Sequence, residues 1–80
     1  MTETEAITIV TTKRRELRIP AAMHPASAER AVVEYAKDRT RAGCVENRVA
    51  WIVTLTSSTG FVSVHVDDRT GQVLAVRRSA

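Results

Sequence analysis

The sequence predicts an α+β fold, in which one helix packs on a three- to four-stranded antiparallel sheet in the order β-α-β-β-β. Three observations lead to it. Three segments of the C-terminal half alternate apolar and polar residues between short turn-forming stretches, and one central segment has apolar residues at helical spacing. A chain of 80 residues also has room for one domain only, spanning residues 1–80.

The N-terminal segment is predicted to supply the first strand. Residues 6–12, AITIVTT, are rich in β-branched types that favour strands. After a polar break, LRI at 17–19 predicts a second short strand that Pro20 ends. Residues 1–5 and 79–80 are expected to be disordered.

Residues 25–40, PASAERAVVEYAKDRT, are predicted to form the single helix. Pro25 suits a first helical turn, Ser27 is a candidate N-cap, and Gly43 is a natural stop. An apolar stripe at i, i+4, i+7 and i+8 runs along one side, made of Ala28, Val32, Tyr35 and Ala36.

The C-terminal half predicts a three-stranded meander over residues 48–56, 61–67 and 72–78. SSTG at 57–60 and DRTG at 68–71 have the composition of turns. In the first of these strands Val49, Trp51, Val53 and Leu55 share one face. A meander with one apolar face needs a cover, so we expect the helix to lie across it with Trp51 between them.

Composition excludes several classes of protein. The net charge of +3 is a mild excess that names no partner, and the single cysteine forms no internal disulfide. No apolar stretch approaches the roughly 20 residues that span a bilayer, and the acidic start, MTETEAITIV, lacks the basic region of a signal peptide. We therefore expect a soluble, cytoplasmic protein without a membrane partner.

The stretch VAWIVTL-x5-FVSVHVDDRTGQVLAVR resembles the PepSY domain, over roughly residues 25–78. That family has a helix followed by a meander, with a characteristic V-D-A-x-T-G-x-V-L hairpin. The resemblance implies a non-enzymatic module that binds or restrains peptidases. The chain departs from the family in standing alone without a peptidase, and Asp68 replaces the usual alanine. The matching positions are Val66, Asp67, Thr70, Gly71, Val73 and Leu74.

Candidate catalytic and metal-binding groups are few. Ser63, His65 and Asp67 share one strand face, but alternate strand residues lie about 7 Å apart, too far for a nucleophile and its base. The sequence spacing does not predict that His24 lies near His65 as a second histidine ligand of a metal. Cys44 follows the predicted C-terminal end of the helix, where the negative end of the dipole disfavours the thiolate. We expect no enzyme activity, no metal and no cofactor.

The second face of the predicted sheet is the main functional candidate, because no predicted helix covers it. Ile52, Thr54, His65 and Arg77 are its predicted partner-binding residues. We expect a small protein-binding module, with an inhibitor or regulator as one form, that meets a protein partner or another copy through this face or through a sheet edge.

A basic nucleic-acid-binding accessory protein is the alternative prediction. It would use the residues Lys13, Arg14, Arg15, Arg77 and Arg78. No aromatic side chain interleaves with these residues to stack on bases, and no known nucleic-acid-binding motif is present. A further cluster is Lys37, Arg39 and Arg41.

Overall fold

A helix and a four-stranded antiparallel sheet form the α+β fold, which confirms the predicted fold class. The computed structural model describes residues 1–36 and 45–79. The elements are α1 (Glu3–Thr12), β1 (His24–Ala36), β2 (Val45–Ser57), β3 (Gly60–Asp67) and β4 (Val73–Arg78). Neighbouring strands in the sheet follow chain order, β1-β2-β3-β4. The element order is therefore α-β-β-β-β, and the predicted order β-α-β-β-β is wrong in its first two elements.

The strand predicted at residues 6–12 is a helix. The backbone N–H of Glu5 donates to Thr2 Oγ1 at 3.2 Å and the Thr2 N–H donates to Glu5 Oε1 at 3.0 Å, which completes a capping box. Ala6 and Val10, which lie one turn apart in this helix, are fully buried. β-branched residues cost a helix less than about 0.7 kcal/mol each, so a good cap and a buried stripe outweigh them. Residues 1–5, where we expected disorder, contain the first turn.

The short strand predicted at residues 17–19 is also absent, because residues 13–18 form turns. The N–H of Leu17 donates to the Lys13 carbonyl at 2.9 Å, and that of Ile19 to the Arg14 carbonyl at 3.0 Å. Arg18 adopts the left-handed conformation, with φ of 55°. This tight path brings Ile19 and Met23 into the core, where they are 6% and 7% exposed.

The helix predicted from residue 25 is a strand as far as the described residues extend. β1 pairs with β2 from His24 opposite Thr56 to Ala36 opposite Val45, with a bulge between Pro25 and Ser27. The apolar spacing read as a helical stripe also contains the β-compatible run AVVEY, and pairing along the whole of β2 decides between the two. The end of the predicted helix, residues 37–40, lies outside the described residues. So do the basic cluster of Lys37, Arg39 and Arg41, the predicted stop at Gly43, and Cys44.

The predicted meander is confirmed, and its apolar face forms the core with α1. The strands begin and end within three residues of the predicted limits. Trp51 packs half-buried against this core rather than being fully enclosed. The buried cluster consists of Ala6, Val10, Ile19, Met23, Val53, Leu55, Val62, Val64 and Val66. No helix in the described part of the chain is long and apolar enough to cross a membrane.

Candidate functional site

The sheet has one face under α1 and one face that carries no helix among the described elements. We call the second one the helix-free face. Because directly paired residues of antiparallel strands share a face, the register identifies its members. They are Ser27, Glu29, Ala31, Val33, Tyr35, Glu46, Arg48, Ala50, Ile52, Thr54, Ser63, His65, Asp67, Ala75 and Arg77.

The four residues predicted to bind a partner lie together on this face. Ile52 is directly opposite His65, and Ser63 links the other two because it is opposite both Thr54 and Arg77. Ile52, Thr54 and His65 are half-buried, whereas Arg77 is exposed. The sequence therefore placed these side chains on one surface correctly, although the pairing itself says nothing about what they bind.

The centre of the helix-free face is uncharged near neutral pH. Its side chains are apolar, small or hydroxylic, and Thr54 Oγ1 lies 3.3 Å from Ser63 Oγ. Burial lowers the pKa of His65, and the nearby Arg77 guanidinium lowers it further. The imidazole is therefore mostly neutral at pH 7. The charged side chains beside this centre are Glu29 and Arg77 on the two edge strands, β1 and β4, and the Arg48–Asp67 pair, which lies at one end of the central strands.

Asp67 closes one end of the face and organises the turn that follows β3. Its Oδ1 accepts the backbone N–H groups of Arg69 at 2.8 Å and Thr70 at 3.2 Å. Gly71 supplies the left-handed residue with φ of 75° and donates its N–H to the Asp67 carbonyl at 2.9 Å. The Asp-x-x-Thr-Gly stretch is thus a self-satisfied turn built around a carboxylate that is 2% exposed.

Arg48 supplies the counter-charge of Asp67, a pairing that the sequence analysis missed. Its Nη1 lies 2.6 Å from Asp67 Oδ2, its Nε lies 2.6 Å from Glu46 Oε1, and its guanidinium carbon lies 5.5 Å from the Tyr35 ring centroid. The hydrogen bond from Arg48 is the main cause that lowers the pKa of Asp67. An Arg residue 19 positions upstream of an Asp leaves no local signal, because only the β2–β3 register brings them together.

Asp68 has a similar role on the opposite face. The Trp51 indole N–H donates to its Oδ1 at 2.8 Å, Arg30 Nη2 lies 3.3 Å from its Oδ2, and the amino group of Met1 lies 3.6 Å from its Oδ1. The indole hydrogen bond is the first cause that lowers the pKa of Asp68. The residue that departs from the PepSY-type hairpin is therefore the one that fixes Trp51.

A cleft of about 700 Å³ separates the β1–β2 hairpin from the turn after β3. Its acidic groups already hold partners, because Asp67 and Glu46 bind Arg48, and Asp68 binds Trp51 and Arg30. The carboxylates of the cleft are therefore paired with donors of the same chain. The described lining residues are Arg30, Glu46, Asn47, Arg48, Val49, Asp67, Asp68, Arg69 and Thr70.

The Ser63, His65 and Asp67 side chains share the face but form no hydrogen-bonded relay among the described contacts. Both carboxylate oxygens of Asp67 are occupied by Arg48 and by the turn amides. In the described part of the chain, no three His, Cys, Asp or Glu side chains are grouped so that they could hold a metal ion.

The residues of the alternative nucleic-acid prediction do not form one free basic surface. Arg14 donates to the carbonyls of Pro20, Ala21 and Met23, so its guanidinium braces the segment between α1 and β1. Arg78 donates to the carbonyls of Leu17 and Arg18. Arg77 points to the other face of the sheet, since neighbouring strand residues alternate. Lys13 and Arg15 remain beside the turn.

Comparisons of the chain with protein-family models, with curated proteins and with solved structures found no match. The PepSY resemblance therefore stays a prediction. Residues 25–36, which it assigns to a helix, form most of β1, and the helix lies before them at Glu3–Thr12.

Proposed function

We propose that the protein is a non-enzymatic binding module that engages another protein molecule through the helix-free face. Such a module acts as an inhibitor or regulator by occupying its partner's surface. One observation supports this above the others: the centre of the face is uncharged and only half-buried, with Ile52, Thr54 and His65 accessible and no helix above them among the described elements.

The arrangement resembles the anatomy of protein interfaces in general. Interfaces bury an uncharged centre and keep charged groups at the rim. Here Ile52 and His65 lie on the two central strands, and Glu29 and Arg77 lie on the two edge strands. The surface is also held in place from behind, because the opposite sides of the same strands pack in the core. A rigid surface loses little conformational freedom when it binds.

Capture from a native cell lysate by the immobilised full chain tests this function. Captured proteins, including untagged copies of the chain itself, are identified by mass spectrometry at low and high salt. Ile52→Asp places a charge at the centre of the helix-free face. Val32→Asp is the matched control, because Val32 is 67% exposed and lies on the other side of the sheet.

We expect at least one protein to be retained at high salt by the wild type and by Val32→Asp, and to be reduced at least tenfold by Ile52→Asp. Circular dichroism spectra that match the wild type are the control for the folding of both variants. The helix-free face is not the binding surface if Lys13→Gln or Arg15→Gln removes every captured protein. The same conclusion holds if high salt releases every captured protein equally from the wild type and both Asp variants.

A further inference from the structure

We propose that the protein bound by the helix-free face is a second copy of this chain. The two copies pack face to face about a two-fold axis parallel to the strands, with Glu29 of each copy opposite Arg77 of the partner subunit. This inference rests on the proposed function of the face and adds the identity and orientation of its occupant.

Opposite charges at opposite edges make the face self-complementary. Glu29 lies on β1 at one edge of the sheet, and Arg77 lies on β4 at the other. The central strands place Ile52 and His65 between them. No ion pair within 4.0 Å joins either charge to another group in residues 1–36 and 45–79. Each charge is exposed and available to a partner.

Charge selects one of the two simple two-fold arrangements. An axis perpendicular to the strands, in the plane between the sheets, would place β1 over β1 and β4 over β4, so that like charges meet. An axis parallel to the strands exchanges the edges, so that β1 of each copy faces β4 of the other. A two-fold interface repeats each contact, and this arrangement therefore forms the Glu29–Arg77 pair twice.

Distances in stacked sheets permit this pair. Glu29 belongs to the cross-strand row of Ile52, His65 and Ala75, and Arg77 belongs to the next row with Ser63. Rows on one face are about 7 Å apart and stacked sheets lie about 10 Å apart, which the long side chains of Arg and Glu span together. The usual rotation between aligned sheets, about 30°, further adjusts the offset at the edges.

The centre of such an interface would bury no unpaired charge. Ile52, Ala75 and Thr54 carry none, and Asp67 beside them is neutralised by Arg48. His65 of β3 is paired with Ile52 of β2 on one side and with Ala75 of β4 on the other. The charged groups nearest to it along the strands are Arg77 of β4 and Asp67 of β3. Its lowered pKa keeps the imidazole uncharged near pH 7. Burying a neutral imidazole costs far less than burying a charged one.

The area predicts a weak dimer. Strands β1, β2 and β3 share about seven residue rows and β4 pairs along about five of them, so strands about 4.8 Å apart present a flat area of about 400 Å² per copy. The corrugated surface is larger than this projection, so two copies together bury about 1,000 Å², the lower limit for a specific interface. Dimerisation is therefore expected within a scan from about 1 µM to about 1 mM protein.

Sedimentation equilibrium of the full chain at pH 7.5 tests the proposal, with exchanged charges as the decisive variants. Glu29→Arg and Arg77→Glu each place like charges opposite one another in the homodimer, and each should raise its dissociation constant at least tenfold. An equimolar mixture of the two variants should form a heterodimer about as tightly as the wild type dimerises. In the mixture, Arg at position 29 meets Glu at position 77, and Arg77 meets Glu29.

Ile52→Asp should abolish the dimer and Val32→Asp should leave it unchanged. Both charge variants change exposed side chains, so they remain informative if Ile52→Asp does not fold. A monomer throughout the scan overturns the second-copy inference, while an Ile52-dependent capture of a different protein would still support the proposed function. A dimer that is insensitive to both charge reversals and to Ile52→Asp, as pairing of sheet edges would give, also overturns the inference.

Discussion

The two faces of the sheet come from the same strands but have different chemistry. In β2 and β3 the residues packed under α1 include four valines and a leucine that are almost fully buried, with Trp51 half-buried beside them. The alternate residues, which include Ile52, Thr54, Ser63 and His65, are half-buried and mixed in polarity. The strand alternation thus divides the chain's apolar side chains into a stability face and a face available for contacts.

The turn after β3 repeats this division within two adjacent residues. Asp67 is directed to the helix-free side, where it binds Arg48 and the turn amides. Asp68 is directed to the helix-covered side, where it binds the Trp51 indole and Arg30. Two neighbouring carboxylates therefore fix both sides of the sheet at one end, which gives each residue of the Asp-Asp pair a structural role in the hairpin.

The strongest test of the difference between the faces is truncation of one aliphatic side chain on each. Leu55 is 1% exposed under α1, so Leu55→Ala should lower the free energy of unfolding by about 3 kcal/mol, from lost burial and the cavity left behind. Ile52→Ala on the helix-free face should cost about 1 kcal/mol or less, because Ile52 is already partly hydrated. Urea unfolding at about 1 µM protein keeps self-association out of the comparison. Equal losses would mean that the helix-free face is part of the core.

The C-terminal meander could be predicted from the sequence because its signals are local. Val62, Val64 and Val66 alternate with polar residues, and the two turns carry Gly60 and Gly71 at positions with positive φ. Hydrophobic alternation and turn chemistry agree in this half, and no long-range contact is needed to decide between helix and strand.

The N-terminal half shows the opposite case. Residues 6–10 have strand propensity and residues 28–36 have helix-like spacing, but each adopts the other structure. The capping box of Thr2 and Glu5 was readable in the sequence and was the missed signal for α1. β1 had no equivalent local signal. Its conformation is decided by pairing with β2, whose Val45 is nine residues from Ala36 in the chain.

The candidate site was predictable only where it follows from alternation within the strands. Ile52 and Thr54 of β2 and His65 of β3 could be placed on one face because each alternates with the apolar residues of its own strand, which must face the core together. The Arg48–Asp67 and Trp51–Asp68 contacts could not, because they depend on the register between strands and on the path of the turn. Glu29 was missed for a different reason, since the strand that carries it was read as a helix.

Removing one carboxylate charge at a time tests the comparison between Asp67 on the helix-free side and Asp68 on the helix-covered side. Asp67→Asn should lower the free energy of unfolding by about 2 kcal/mol, because it weakens a buried contact to Arg48. Asp68→Asn should cause a smaller loss, since Asp68 is more exposed and its partner Arg30 lies largely in solvent.

The pH dependence provides the control for the carboxylate variants. The pKa values of Asp67 and Asp68 are both lowered in the folded chain, so their stabilising contributions are present above the ordinary aspartate pKa, about 3.9, and are lost as the pH falls through their folded values. Denaturation curves between pH 7 and pH 2.5 should therefore converge for the wild type and both variants at the acidic end. An Asp68→Asn variant less stable than Asp67→Asn at pH 7 would reverse the ranking of the two sides.

The smallest expected effect concerns the protonation of His65, and it tests whether the helix-free face favours an uncharged centre. Burial and Arg77 lower the pKa of His65 in the folded chain, while the unfolded chain keeps the ordinary value of about 6.5. The unfolded chain therefore binds the proton more readily, so stability is highest above that value and declines as the pH falls through and below it. Nuclear magnetic resonance titration of the His65 ring should give a pKa below 6.5, and Arg77→Gln should move it part of the way back. Lys13→Gln, beside the turn after α1, is the control and should leave it unchanged. A His65 pKa at or above 6.5 would mean that the centre of this face accommodates a positive charge. The distinction between an uncharged centre and two charged edges would then fail.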